Sequence, residues 1–190
     1  MPSPNPIESN PFSQELQQML ARGRAGCEAV PNFVKVLAKS RAAAMAYALA
    51  DGSLAEGRLS GRQREQIALA VAEINGSEYC LLAHSLAGEN AGLSGQEIQS
   101  ARRAEAADAK SARMLRFTQS VVLQRGDVSD DDLGALRKAG FSEGEMLEIV
   151  ANIALNIFAN YLNILARTGP DCHAVDSAPA NGIKSAPLAA

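Results

Sequence analysis

Cys80 and His84 stand four residues apart in "NGSEYCLLAHS", Asn75 to Ser85. The types suit nucleophilic chemistry: a thiol that attacks as its thiolate and an imidazole that takes or returns a proton. Asn75-Gly76 reads as the close of one helix, and Ser77 as the N-cap of the next. Cys80 then falls at the third helical position, where unpaired backbone N–H groups and the helix dipole favour an anion. His84 lies one turn on, on the same face and within reach. Glu65 on the preceding helix is a second proton-transfer candidate, given an antiparallel hairpin of favourable geometry. The spacing alone is not specific. A cysteine in an Ala/Leu-rich helix also serves as small core filling, and Ser77 needs no catalytic role to explain it.

The elements that must position these residues are helices. Ser60–Gln63, Ser94–Glu97 and Ser142–Glu145 fit the capping box, and "SDDD" from Ser129 is a weaker variant with acids in the first turn. Gly52, Gly76, Gly92, Gly126, Gly140 and Gly169 each follow a periodic apolar segment as a stop signal. The expected helices run near 13–25, 32–51, 60–75, 77–91, 94–104, 108–125, 129–139 and 142–167. No stretch alternates with period two, so the chain reads as all-α. Met146, Ile149, Val150, Ile153, Ile157, Tyr161 and Leu165 recur at three and four, which predicts one stripe facing a core. Ile67, Leu69, Ala70, Val71 and Ile74 make the 60–75 helix buried on most sides. Short loops predict antiparallel neighbours. The division expected is an extended arm over 1–12, one helical domain over 13–168 and a tail over 169–190, with no internal repeat.

Composition narrows the function classes. Hydrophobic residues are 47% of the 190 but aromatics only 4%, with no Trp, which suits closely packed Ala/Leu/Val/Ile helices. A net charge of −3 with mixed signs gives no basic face for nucleic acid. The richest apolar stretch, 146–165, is broken by four asparagines, so no membrane span is expected. The proline-rich start lacks the apolar core of a signal peptide. Three cysteines, odd and widely spread, argue against a disulfide framework and for a reducing cytoplasm. Two histidines and no clustered carboxylates predict no metal site, and no cofactor is expected. Cys27 and Cys172 read as incidental, except that a tail thiol at Cys172, beside His173, is placed to resolve an oxidised Cys80. The run Asn152, Asn156, Asn160, Asn163 marks one helix face, held by hydrogen bonds. It is read first as a buried contact between helices or subunits and second as a lining beside the thiol.

The segment "REQIALAVAEINGSEYCLLAHSLAGENAGLS" resembles the core of the carboxymuconolactone decarboxylase and alkylhydroperoxidase D-like superfamily. "PNFVKVLAKS" and the stretch from Arg113 to Asn163 extend the likeness over about residues 31–171, nearest to the peroxidase-related branch. The resemblance implies an all-α AhpD-like bundle that is oligomeric, a hexamer by preference and a dimer as fallback. It also implies a thiol-dependent peroxidase-like antioxidant activity on a hydroperoxide or other small molecule, with an external thiol as reductant. By position it assigns Cys80, His84 and Glu65 to the thiol and its proton relay, and Ser77 to the first, more exposed cysteine of the family's dithiol. The chain departs from the pattern at Ser77, so no disulfide closes within the motif. It departs again at Ile164, where a histidine is common, and at "DCHAV", where Phe-Pro usually follows the aspartate. The alternatives are a redox-inactive oligomeric binding protein and a decarboxylase-type lyase.

Overall fold

The structure, a computed structural model, describes Leu16 and residues 30–170 of the 190. The described residues form eight helices: α1 Asn32–Leu37, α2 Arg41–Ala55, α3 Gly61–Asn75, α4 Glu78–Asn90, α5 Gly95–Arg102, α6 Ala109–Leu123, α7 Asp130–Lys138 and α8 Glu143–Ala166. Leu16 is itself helical and fully buried. The rest of the expected 13–25 helix lies outside the described residues, as do the 1–12 arm, Cys27, and the tail from Asp171 with Cys172 and His173.

The all-α reading and most helix starts hold. Ser60, Ser94, Ser129 and Ser142 each form a full capping box, with Gln63, Glu97, Asp132 and Glu145 reaching back to the cap N–H. Two expectations fail. The 32–51 helix is two helices, because Ser40 takes an extended conformation and its hydroxyl accepts the Ala43 N–H, starting α2 afresh. Gly52 does not stop α2, which runs on to Ala55. One glycine is required where it stands: Gly76 closes α3 in the left-handed region at φ 66°, a conformation costly for any residue with a Cβ. It turns the chain directly into α4.

Helix α3 is the centre, packed against α4, α5, α6 and α8. Ile67, Leu69, Ala70 and Val71 are all wholly buried. Each large apolar side chain contributes roughly 1.5–3 kcal/mol on leaving water. The core divides into two apolar clusters. One joins α3 to α5, α6, α7 and the first half of α8, around Leu69, Met114, Leu115, Leu136 and Ile149. The other lies at the far end of α3, where Leu16, Phe33, Leu37, Tyr47, Ala72 and Ala159 surround Cys80. Glu148 ties the α2–α3 connection to α8 by accepting the Arg58 and Leu59 N–H groups at 2.8 and 3.1 Å.

Helix α8 departs from expectation in its facing. Met146, Ile149 and Ile153 are buried, but Val150, Tyr161 and Leu165 are 41%, 59% and 84% exposed. The inward face instead continues as Asn152, Asn156, Ala159, Asn160 and Asn163, all buried. Among the described helices α8 also has the length and hydropathy to cross a membrane, a correction to the sequence reading. Its buried asparagines and its packing on α3 are those of a core helix.

The caps predict an acid limit to stability. Glu97 and Glu145 lie below the ordinary glutamate value, first because they accept the backbone N–H of Ser94 and Ser142 and then the serine hydroxyls. Asp108 is lowered by the Ser111 N–H. A group whose value is depressed on folding stabilises the fold above its unfolded value and loses that contribution as pH falls through the folded one. The melting temperature is therefore expected to be flat near neutrality and to fall below about pH 4.5. The decline should be shallower in the Glu97→Gln, Glu145→Gln double variant, as thermal melts across that range would show.

Candidate functional site

Gly76 and Ser77 make the two-residue link between α3 and α4, and Cys80 is the third residue of α4, as its spacing predicted. Ser77 occupies the N-cap position without acting as a side-chain cap. Its ψ of 90° differs from the 157–160° of Ser60, Ser94, Ser129 and Ser142, whose hydroxyls all reach the third amide, although Ser40 caps α2 at ψ 108°. Ser77 is 1% exposed, and its Oγ has no hydrogen-bond partner among the described residues. The expectation of an exposed position there is overturned: Ser77 is as deeply buried as Cys80, at 3%.

The Cys80 Sγ accepts a hydrogen bond from Asn163 Nδ2 at 3.3 Å. Asn163 belongs to the asparagine face of α8, and its Nδ2 also donates to the Ala159 carbonyl at 3.0 Å. One turn earlier on that face, Asn160 Oδ1 accepts from Asn75 Nδ2 at 3.0 Å, tying the last residue of α3 to α8. The two readings of the asparagine run thus divide by residue. Asn152 and Asn156 donate to the carbonyls of Glu148 and Asn152 and support the helix itself. Asn160 makes a contact between helices, and Asn163 is at the thiol.

His84 is buried one turn beyond Cys80, and its Nδ1 lies 2.8 Å from Glu65 Oε2. The antiparallel α3–α4 hairpin supplies the geometry that the sequence left conditional. A carboxylate only accepts, so this contact assigns the proton of a neutral ring to Nδ1 and leaves Nε2 as the basic nitrogen. No hydrogen bond joins Cys80 to His84 in the described residues. The thiol and the base are neighbours on one helix face, each held by a different partner, and a reacting molecule would have to link them. Catalytic hydrogen bonds commonly close only when substrate is present.

The wall around the thiol is apolar and aromatic. Tyr79, beside Cys80, accepts the Phe33 N–H at 3.4 Å, and Phe33 packs edge-on to Tyr47 with ring centroids 5.0 Å apart. Tyr47 in turn lies 6.0 Å from Phe158 of α8. Among the described residues no group of three or more His, Cys, Asp or Glu side chains is arranged to hold a metal ion. A separate cavity of about 280 Å³ lies between the first turns of α3 and α6, lined by Ser60, Arg62, Gln63, Gln66, Asp108, Lys110 and Ser111. It contains none of the candidate catalytic residues Cys80, His84, Glu65 and Ser77.

Comparison with known proteins fits this geometry. Residues 40–123 match the carboxymuconolactone decarboxylase family. No curated protein matches the chain in sequence. Among solved structures, an uncharacterized peroxidase-related protein from Silicibacter sp. TM1040 is 24% identical and superposes with a TM-score of 0.76, covering 90% of this chain and 92% of that one. A peroxidase-related protein from Ralstonia eutropha JMP134, described as an alkylhydroperoxidase AhpD core, is 21% identical with a TM-score of 0.76, over 92% and 93%. The debrominase Bmp8 is 15% identical with a TM-score of 0.73, over 87% and 89%. The fold is AhpD-like, and residues 40–123 resemble the carboxymuconolactone decarboxylase family.

Proposed function

We propose that this protein, whose residues 40–123 match the carboxymuconolactone decarboxylase family, is a thiol-dependent peroxidase acting through one cysteine, Cys80. The observation that carries the reading is the convergence at the start of α4. A thiol sits at the third helical position with an amide N–H on its sulfur, and a His84–Glu65 pair stands one turn away. The peroxidase-related structural neighbours and the family match support it.

The steps balance as follows. Cys80 gives its proton to His84, whose Nδ1–H is held by Glu65. The thiolate attacks the terminal oxygen of a hydroperoxide, an S–O bond forms, the O–O bond breaks, and the leaving alkoxide takes the proton back from His84. The products are an alcohol and the Cys80 sulfenic acid. Ser77 has no thiol with which to condense it. An external thiol must therefore displace the oxygen as water, giving a mixed disulfide, and a second thiol releases Cys80. Such a cycle suits a reducing cytoplasm. The aromatic wall of Phe33, Tyr47 and Tyr79 favours an organic hydroperoxide over hydrogen peroxide.

The test is hydroperoxide consumption with an excess of small thiol. Turnover is expected to vanish in Cys80→Ala and to fall about a hundredfold in His84→Ala. Ser77→Cys should raise it, since a resolving thiol then stands three residues from Cys80. Full activity in Cys80→Ala would overturn the proposal. The second reading, a redox-inactive binding protein, is favoured by the 3% exposure of Cys80. It requires that Ser77→Cys gain nothing.

We also propose that the protein is a homo-oligomer, a hexamer by preference and otherwise a dimer. The outer face of α8 presents Leu147, Val150, Phe158, Tyr161 and Leu165, all 40% exposed or more, with no charged residue from Ile149 to Ala166. An apolar stripe of this length on an isolated small domain is more than a monomer ordinarily exposes. A second copy covers it in a closed arrangement. Light scattering at micromolar concentration should return a multiple of the 19.9 kDa chain mass; the chain mass itself would contradict it.

A further inference from the structure

We propose that Asn163 is a positioning residue whose amide N–H holds the Cys80 sulfur and assists its attack as a thiolate. The inference deepens the thiol reading above and rests on it for its biological meaning. Its first support is the orientation of the amide. Asn163 Nδ2 lies 3.0 Å from the Ala159 carbonyl oxygen and 3.3 Å from Cys80 Sγ. Turning the amide over would set two carbonyl oxygens against each other, so the carbonyl fixes the NH₂ end in place. One proton serves Ala159 and the other is aimed at the sulfur. A neutral thiol is a weak acceptor, whereas a thiolate accepts strongly, as hydrogen bonds to an ionised partner do. The contact therefore discriminates between the two charge states of Cys80.

The second support is what the amide leaves unsatisfied. Asn163 is 3% exposed, and its Oδ1 is buried with no partner among the described residues. Among the described residues of the same face, Asn152 and Asn156 leave no buried side-chain atom unpaired, and Asn160, which is bonded to Asn75, leaves its Nδ2 so. A buried carbonyl without a donor is unfavourable. A side chain kept only for packing at this position would do better as an apolar one, with no amide to leave unpaired. The serine hydroxyl that ordinarily caps the third amide is turned away at Ser77. Asn163 is thus the side-chain donor that the structure gives to the sulfur.

The test separates this role from a structural one. Alkylation of Cys80 by iodoacetamide is followed across pH, counted on the Cys80 peptide by mass, in Asn163→Leu, Asn163→Asp and Asn156→Leu. Asn163→Leu is expected to stay folded, because the gain from removing an unpaired buried carbonyl offsets the cost of the larger side chain. Its alkylation profile should move up by about one pH unit, a tenfold slower reaction near neutrality. Asn163→Asp, which cannot donate when ionised, should move it at least as far, while Asn156→Leu leaves it where it was. An unmoved profile in a folded Asn163→Leu overturns the inference. So does failure of both Asn163 variants to fold, which would make the amide a structural requirement. The outcomes stay distinct from those of the peroxidase reading. A parent that forms no sulfenic acid, yet shows the Asn163 shift, overturns the peroxidase and leaves the positioning role standing.

Discussion

Over its second half, helix α8 is largely polar on the side that faces the protein and apolar on much of the side that does not. Over its second half the inward positions are Asn156, Asn160 and Asn163, whereas Phe158, Tyr161 and Leu165 face outward. Burying an amide is unfavourable unless its groups are paired, so these positions constrain whatever they face. Asn152, Asn156 and Asn163 each donate to the carbonyl one turn back. Asn160 turns instead to Asn75, and Asn163 spends its second proton on Cys80. The end of α3 and the start of α4 are thereby fixed to one helix by side-chain bonds as well as by packing. Placement of the thiol depends on this face.

From that constraint the site follows in order. Gly76 allows α3 to end without a loop, and Ser77 then begins α4 without a side-chain cap. The short link forces α3 and α4 to run side by side, which brings Glu65 of one against His84 of the other. The thiol and the base are held by separate partners, Asn163 on α8 and Glu65 on α3. Neither can be displaced without moving a core helix. The same helix that orients the sulfur inward leaves its apolar stripe outward, so the site and the exposed surface are two consequences of one facing.

Much of this was legible in the sequence because local chemistry and tertiary structure agree. Four serine caps and the Gly76 stop set helix ends, and those ends put Cys80 at the third position of α4. The failures have physical reasons. Ser40 is a cap with no acidic or amide partner three residues on, so the break between α1 and α2 is hidden in an apolar run. Ser77 reads as a cap by type, but its conformation is decided by the tight turn at Gly76. On α8 the apolar period has two solutions, because apolar residues lie on several faces. Only the asparagines distinguish inside from outside, and amides are ordinarily expected to face water. The asparagine run was legible as a buried contact or a lining beside the thiol, but not which of the four meets the sulfur, since a contact across 83 residues has no local signature.

The claim that unites these observations is that Cys80 is a placed nucleophile rather than core filling. It is tested most directly by exposing the protein to one equivalent of an organic hydroperoxide, without reductant and with a sulfenic-acid trap. The peptides are then read by mass. The account predicts that the trap is carried by Cys80, ahead of Cys27 and Cys172, despite its 3% exposure. A Cys80 peptide that remains unmodified while the other two cysteines react in proportion to their exposure would contradict it.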